Sequence, residues 1–157
     1  MGKKVLLVGM DIRKPTLAKY LDINPQYGLT QYLSSSYLNI GQLIAKVPGA
    51  DNLSVIVAGP IPPNPAELLT SEKIDSFFNE LRSMYDYIIV DTAPIGQVSD
   101  TFTLDRVADA TIFVSRMNRT KLGIFEELNS IYSSNRLKRL SIVINGTETH
   151  KNYGYGN

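Results

Sequence analysis

Five short apolar runs divide this sequence, and they constrain its fold more than any other feature. Unbroken apolar runs of this length are typical of strands that are buried on both faces of a parallel sheet. Stretches with helical periodicity lie between several of them. Strands that alternate with helices predict an α/β fold with a mainly parallel sheet and right-handed crossovers. The runs are residues 4–8, 53–58, 87–90, 110–114 and 140–144.

Two longer stretches between these runs are predicted to be amphipathic helices, residues 65–84 and 121–137. Asn64 is the predicted N-cap of the first, with Pro65 at its first position and Glu67 at its third. The apolar residues that define one face are Ile74, Phe77, Phe78 and Leu81 in the first helix, and Phe125, Leu128, Ile131 and Tyr132 in the second.

Three shorter segments are also predicted to be helical, residues 16–21, 29–34 and 99–105. Residues 41–47 are predicted to form a strand or a turn. With 157 residues, 43% of them hydrophobic, the chain is large enough for one domain with one core. We therefore predict a single domain over residues 1–150, followed by a flexible tyrosine-glycine tail over residues 151–157.

The composition excludes several classes of function. The 16 basic and 15 acidic side chains give a net charge of +1, so nothing indicates a nucleic-acid partner or an anionic membrane surface. There is no cysteine, which excludes disulfides and thiolate metal sites, and the lone His150 is interpreted as solvated. No apolar run is long enough to cross a bilayer, and residues 1–4 lead into a predicted strand and not into the core of a signal peptide, so the chain is expected to be soluble.

Two predicted strands are followed by an aspartate. Asp91 directly follows the run 87–90, which is the Walker B pattern, and Asp11 lies shortly after the run 4–8. Chemistry in such sheets gathers at the carboxyl ends of the strands, so both carboxylates are predicted to bind Mg²⁺ on a nucleotide and to be catalytic. Arg13 and Lys14 could neutralise charge on the phosphates. Either aspartate alone could instead begin a turn.

The last residues carry two tyrosines, Tyr153 and Tyr155, alternating with glycines. Glycine-rich terminal segments with few apolar anchors tend to stay mobile. A tyrosine on such a tail could reach the active site of another molecule and accept a phosphate. The alternative is a frayed terminus without a function.

Five segments in this order resemble the cytoplasmic kinase domain of the bacterial tyrosine autokinases (BY-kinases) of capsule and exopolysaccharide synthesis. The segments are residues 5–15, the Pro-rich loop 62–69, residues 86–94, residues 143–146 and the terminal tyrosines. The resemblance implies a P-loop NTPase-like fold of the deviant-Walker type, related to ParA and MinD. It implies Mg²⁺ and ATP as cofactors, with Asp11 and Asp91 at the metal, Arg13 at the nucleotide and Asn145 at the adenine.

The same resemblance implies partners and a location. Tyr153 and Tyr155 would be phosphorylated between neighbouring subunits of a ring or dimer. A membrane-bound polysaccharide co-polymerase or activator and a tyrosine phosphatase are the other implied partners, and the chain would act at the inner face of the membrane. Its role would be to regulate the synthesis and export of the polysaccharide.

Two departures from the family pattern qualify these expectations. No Gly-x-x-x-x-Gly-Lys-Ser/Thr occurs in the sequence, and Gly9 stands where many family members carry an aspartate. We favour the interpretation that this sequence is a piece of a longer kinase. The alternative is a natural remnant that has lost catalysis. By itself the chain is expected to be inactive and to bind Mg-ATP no more tightly than about millimolar. Strands beside a missing P-loop strand would have a partner on one side only, which predicts a dimer or a rearranged sheet.

Two other functions stay open at this point. The first is a switch ATPase of the ParA/MinD kind, which transfers phosphate to water. The Tyr-Gly tail and the Pro-rich loop argue against it. The second is a non-catalytic interaction module whose tail is phosphorylated by another kinase.

Overall fold

The computed structural model of the chain describes residues 2–95 and 100–147, with Asp100 described through its backbone only. The chain divides into two compact units, Met1–Val107 and Ala108–Asn157. Each unit has its own sheet, and each is described by itself. The predicted single domain over residues 1–150 stays a prediction. Within the described residues, no helix has the length and apolar character that crossing a membrane requires.

The first unit contains four strands, five helices and two 3₁₀ turns within the described residues. In chain order they are β1 (Val5–Gly9), α1 (Leu17–Tyr20), α2 (Leu29–Ser34), a 3₁₀ turn (Ile40–Gln42), β2 (Ala45–Val47), β3 (Ala50–Ile56), α3 (Pro65–Thr70), α4 (Glu72–Met84), β4 (Tyr87–Asp91), α5 (Asp100–Leu104) and a 3₁₀ turn (Asp105–Val107). The second unit contains β5 (Ile112–Arg116), α6 (Gly123–Ser133) and β6 (Ser141–Asn145).

The predicted α/β class and mainly parallel sheet are confirmed. In the first unit the strand order is β2-β3-β1-β4. Strand β1 lies parallel to both β3 and β4, and only β2 runs antiparallel, against β3. In the second unit β5 and β6 are parallel. All five apolar runs became strands, with ends that differ from the prediction by at most three residues.

The core of the first unit lies between the sheet and α4. Leu6 and Val8 of β1 are fully buried, as are Ile74, Phe77 and Leu81 of α4, which confirms the predicted apolar face of that helix. The ring of Phe77 contacts those of Tyr32 and Phe78, with centroids 5.5 and 5.3 Å away. Strand β1 and α4 thus share one core, and Asp11 lies two residues beyond the end of β1.

Strand β4 forms an edge of its sheet. Among the described residues it pairs with β1 only, as β5 pairs with β6 only. Two apolar side chains of β4 are exposed, Tyr87 at 60% and Ile89 at 56%. One-sided pairing agrees with what the sequence predicted for strands beside a missing neighbour, and an open edge of this kind can accept a further strand. Association with another chain stays a prediction.

The predicted helix over residues 65–84 is wrong in one respect, because it is two helices. Ser71 has φ −64° and ψ 145°, an extended conformation that ends α3 and precedes α4. Arg106, from the 3₁₀ turn after α5, donates from Nη2 to the carbonyls of Leu69 (3.1 Å) and Ser71 (3.3 Å). The same guanidinium donates from Nε to Asp75 at 3.1 Å. Arg106 therefore binds both sides of the break.

Other local predictions need smaller corrections. Asn64 is the residue before α3, but its side chain makes no backbone cap and donates instead to Glu67 Oε2 at 2.6 Å. The second long helix is shorter than predicted, since α6 ends at Ser133 and Asn135 has φ 51°. Tyr132 is 65% exposed, so it does not belong to the buried face. Residues 41–47 contain the end of a 3₁₀ turn and strand β2.

Replacing Arg106 by alanine is expected to lower the free energy of unfolding of the first unit by about 1–2 kcal/mol. The variant leaves the carbonyls of Leu69 and Ser71 and the carboxylate of Asp75 without this charged donor. Urea unfolding measures the change. Arg119→Ala, at an exposed arginine of the second unit, serves as the control, and an equal effect of both substitutions would contradict the role of Arg106.

Candidate functional site

Asp11 and Asp91 lie at the same edge of the sheet. Strands β1 and β4 are adjacent and parallel, and their register pairs Gly9 with Asp91. The amide of Met10 donates to the carbonyl of Asp91 at 2.7 Å, which extends the pairing to the residue before Asp11. Both aspartates line one cavity. The two carboxylates that the sequence singled out are therefore brought together.

Asp11 also begins a turn. Its Oδ1 accepts hydrogen bonds from the amides of Lys14 (2.9 Å) and Arg13 (3.3 Å). Such an Asx turn is a common use of an aspartate after a strand. From the sequence, a turn at Asp11 was an alternative to a metal site. The structure shows that the two uses are compatible, because Oδ2 takes no part in these two bonds. The turn fixes the carboxylate of Asp11 in place.

The environment of Asp91 opposes its negative charge. Partial burial raises the pKa of Asp91 above its ordinary value of 3.8, and the nearby charge of Asp11 raises it further. A cation bound between the two carboxylates would favour the ionised form of Asp91 and so offset both effects. The neighbouring aspartates therefore form a local negative field.

The donor set of this edge fits Mg²⁺ bound together with a nucleotide. In the described part of the chain no three or more histidine, cysteine or acidic side chains form a metal-binding group. Magnesium is commonly held by one or two carboxylates, with phosphate oxygens and waters completing its octahedron. Asp11 and Asp91 would supply the carboxylates, and their role at a metal stays a prediction.

The cavity beside the two aspartates has a volume of about 350 Å³. It is bounded by the carboxyl ends of β1, β3 and β4, by α1 and by the loop that precedes α2. Pro15, Leu17, Pro25 and Tyr27 contribute apolar surface, and Thr16, Asn24, Gln26 and Gln31 contribute polar groups. The site is thus a pocket with an acidic end.

Gly9 lies at the wall of this cavity. A Cβ added there would come within 3.2 Å of Leu17 Cδ2 and 3.4 Å of the Ala58 amide nitrogen. An aspartate at this position would therefore require Leu17 to move. In this chain the acidic groups of the cavity are Asp11 and Asp91.

Sequence reasoning missed a contact that shapes the cavity, between Gly28 and Gly59. A Cβ on Gly28 would lie 2.4 Å from the Cα of Gly59, and Gly59 has φ +87°. The sequence offered two signals. One was the spacing Gly28-Leu-Thr-Gln31, which in the structure lets the Gly28 amide donate to Gln31 Oε1 at 2.8 Å. The other was the glycine before the Pro-rich loop. Neither signal showed that the two segments would meet.

The described geometry leaves the roles of the other predicted site residues untested. Arg13 has an exposed side chain, and its amide bonds Asp11. Asn145 ends β6 in the second unit, where its carbonyl accepts from the Met117 amide at 2.9 Å. Tyr153, Tyr155 and His150 lie outside the described residues. The roles of Arg13, Asn145 and the two tyrosines stay predictions.

The fold of this chain is similar to that of ATPases of the MinD type and to that of bacterial tyrosine-kinase domains. The cell division ATPase MinD of Pyrococcus furiosus superposes with a TM-score of 0.72 over 94% of this chain and 62% of MinD; the two sequences are 19% identical, so this likeness concerns the fold alone. The VpsO kinase domain superposes with a TM-score of 0.82 at 28% identity, over 93% of this chain and 71% of that domain.

Sequence relatives identify the family within this class. The tyrosine-protein kinase YwqD of Bacillus subtilis is 34% identical over 98% of this chain and 65% of YwqD. The tyrosine-protein kinase CpsD of Streptococcus agalactiae is 31% identical over 99% of this chain and 69% of CpsD. The chain belongs to the bacterial tyrosine-protein kinase family. It spans about two thirds of the length of these curated relatives. No protein-family model matches the sequence.

Proposed function

We propose that this chain is part of an ATP-dependent protein-tyrosine autokinase that regulates capsular or exopolysaccharide synthesis and export. The observation that carries the proposal is the meeting of Asp11 and Asp91 at the ends of adjacent parallel strands, in a chain of the tyrosine-kinase family. A Gly-rich phosphate-binding turn, which these 157 residues lack, would come from a segment outside them.

In the proposed reaction a tyrosine hydroxyl attacks the γ-phosphorus of ATP. A bond forms between the tyrosine oxygen and phosphorus, the bond from phosphorus to the β,γ-bridging oxygen breaks, and ADP leaves. Mg²⁺, when bound, supplies neutralisation of the charge on the phosphates. Asp11 Oδ2 and Asp91 would hold that cation, and the tyrosine proton would pass to a water molecule beside the carboxylates. Because the transition state is loose, positioning and charge neutralisation matter more than a strong base.

The alternatives make different predictions. A ParA/MinD-like switch ATPase would hydrolyse ATP without forming phosphotyrosine, and its support is the likeness of fold to MinD at 19% identity. A non-catalytic module would form phosphotyrosine only with another kinase. The higher identity to tyrosine kinases over nearly the whole chain favours the kinase.

The proposal extends to partners and location. Neighbouring copies in a ring or dimer would exchange phosphate through Tyr153 and Tyr155, and Asn145 would contact adenine. A membrane-bound co-polymerase or activator would hold the kinase at the inner face of the membrane, and a tyrosine phosphatase would reset it. The open edge of β4 supports self-association or pairing with another segment.

The proposal is tested in a polypeptide that contains both this sequence and a phosphate-binding turn. Replacing Tyr153 and Tyr155 together by phenylalanine is expected to remove most of the phosphotyrosine formed with Mg-ATP, because the acceptor hydroxyls are gone. Quantitative immunodetection and mass spectrometry measure the modification. The matched control replaces Tyr20 and Tyr37, both 82% exposed, and should leave the signal unchanged. An undiminished signal in the tail variant would exclude the tail as acceptor.

A further inference from the structure

We propose that a cationic turn in the second unit binds the phosphorylated C-terminal tail of the same chain. The cationic turn consists of residues 116–121 and carries Arg116, Arg119 and Lys121. Its ligand is the phosphate group of a phosphotyrosine. The inference rests on the proposed function, in which Tyr153 and Tyr155 accept phosphate, and it adds a step that follows the transfer.

Hydrogen bonds hold the backbone of the cationic turn in one shape. The turn begins at the last residue of β5, and the amides of Arg119 and Thr120 donate to the carbonyl of Arg116 at 3.1 and 2.9 Å. The amide of Arg116 donates in return to Thr120 Oγ1 at 2.7 Å. The Met117 amide donates to the carbonyl of Asn145 at 2.9 Å, which fastens the cationic turn to the end of β6. The backbone positions of its basic residues are therefore fixed.

The charged groups of the cationic turn are available to a ligand. Arg116, Arg119 and Lys121 are all exposed. In the part of the chain that the structure describes, none of their charged groups has a hydrogen-bond or ion-pair partner. The sequence has no acidic residue between Asp109 and Glu126. Positive charges grouped in this way attract an anion, and a guanidinium group can bind phosphate through two parallel hydrogen bonds.

The tail leaves the sheet beside the cationic turn. Strands β5 and β6 are parallel, and their register pairs Arg116 with Asn145, the last residue of β6. The next residue, Gly146, lies close to the Arg116 side chain, since a Cβ added there would be 3.7 Å from Arg116 Cγ. Tyr153 follows Gly146 by seven residues, and a segment of that length spans at most about 25 Å. Both acceptor tyrosines are therefore within reach of the cationic turn.

Phosphorylation changes the charge of the tail from balanced to strongly negative. Residues 147–157 carry one acidic and one basic side chain, Glu148 and Lys151, besides His150. Each phosphate adds a charge of about −1.5 to −2 at neutral pH. The cationic turn therefore attracts the phosphorylated tail and does not attract the unmodified one.

The short tether makes a weak site sufficient. A short flexible segment holds its end near its origin at an effective concentration of about millimolar. An affinity of about millimolar is within the range of charge-assisted hydrogen bonds from two arginines. Such an affinity closes the tail onto the cationic turn in a large share of the molecules. Closure withdraws the phosphotyrosine from the active site of a neighbouring copy and so favours release of the product.

The test compares the 157-residue chain with and without phosphotyrosine at positions 153 and 155, installed during synthesis so that no kinase is needed. Phosphorylation is expected to shift the amide signals of Arg116, Met117 and Arg119 in ¹H–¹⁵N NMR spectra. Raised salt should reverse these shifts. Because closure occurs within one chain, the shifts should not depend on protein concentration.

Variants of single arginines locate the site. Arg116→Gln and Arg119→Gln should each lower the ratio of closed to open tail about five- to tenfold, the low end for a hydrogen bond to a charged group, because the cationic turn is exposed. Arg116→Lys keeps the charge without the planar fork and should fall between Arg116→Gln and the unaltered chain. The control is Arg139→Gln, which removes an equal charge from an exposed position before β6, at the opposite end of that strand. It should leave the ratio unchanged, and circular dichroism establishes that each variant is folded.

Three results would overturn the inference. They are amides of the cationic turn that do not respond to phosphorylation, an equal loss of closure with Arg139→Gln, and shifts that grow with protein concentration. If phosphotyrosine forms at positions 153 and 155 in a polypeptide with a phosphate-binding turn, and the cationic turn does not respond, the inference fails and the kinase function stands. If the cationic turn binds the installed phosphates and Mg-ATP yields no phosphotyrosine, closure stands for a tail modified by another kinase, and the kinase function fails.

Discussion

Replacing Asp91 by asparagine is expected to lower the rate of phosphotyrosine formation by about 10²–10³-fold, the usual cost of removing one group that stabilises transition-state charge. The measurement uses a polypeptide that joins this sequence to a phosphate-binding turn, with Mg-ATP. Asparagine keeps the shape of Asp91 and its backbone bond from Met10, so the loss would come from the missing charge. Asp51→Asn, at an exposed aspartate of β3, is the control. Equal rates for the Asp91 variant and the unaltered protein would remove Asp91 from the mechanism.

The same variant separates catalysis from folding. The pKa of Asp91 is raised above 3.8 by burial and by Asp11, so its ionised form disfavours the folded state. The protonated carboxyl of Asp91 therefore favours the folded state. This stabilisation is fully present below the pKa of Asp91 in the unfolded chain and is lost as the pH rises through its pKa in the folded chain. At about pH 7 without metal, the variant should therefore melt at the same or a higher temperature. The difference should shrink as pH falls toward the ordinary aspartate range. A lower melting temperature would show that the substitution damages the fold.

Replacing Phe77 by alanine is expected to lower the free energy of unfolding of the first unit by about 3–5 kcal/mol, the usual cost of deleting a buried phenylalanine ring. Phe77 is fully buried and contacts the rings of Tyr32 and Phe78. The ring has no exposed side on which neighbours could close, so a cavity remains. Urea unfolding followed by circular dichroism measures the change.

Two controls accompany the Phe77 variant. Met84→Ala changes a side chain of the same helix that is 40% exposed and should cost much less. Phe77→Leu keeps most of the apolar volume and should fall between the two. A cost for Phe77→Ala no larger than that for Met84→Ala would contradict the packing of α4 against the sheet.

The sequence was sufficient for the strands and for the buried face of α4, because these depend on local apolar patterns. It was not sufficient for the break at Ser71. That break is stabilised by Arg106, 35 residues further along the chain, and no local pattern reveals such a partner. The side chain of Asn64 shows a similar limit, since its bond to Glu67 replaces the expected backbone cap.

For the candidate site, the sequence placed Asp11 and Asp91 at strand ends, and the parallel pairing of β1 with β4 brought them together. The cavity wall could not be predicted, because it depends on the meeting of Gly28 and Gly59 from segments about 30 residues apart. Each glycine by itself is typical of a turn. Only the packing of α2 against the end of β3 shows why no side chain is tolerated at Gly28.

Since the amides of Arg13 and Lys14 already occupy Oδ1 of Asp11, this carboxylate presents a single oxygen to an incoming ion. Calcium prefers six to eight oxygens and often takes both from one carboxylate, whereas the smaller magnesium ion accepts one. Discrimination between the two ions would thus begin in the backbone of a four-residue turn, without any additional ligand. Such an arrangement would suit magnesium, which is the more abundant of the two ions inside a cell.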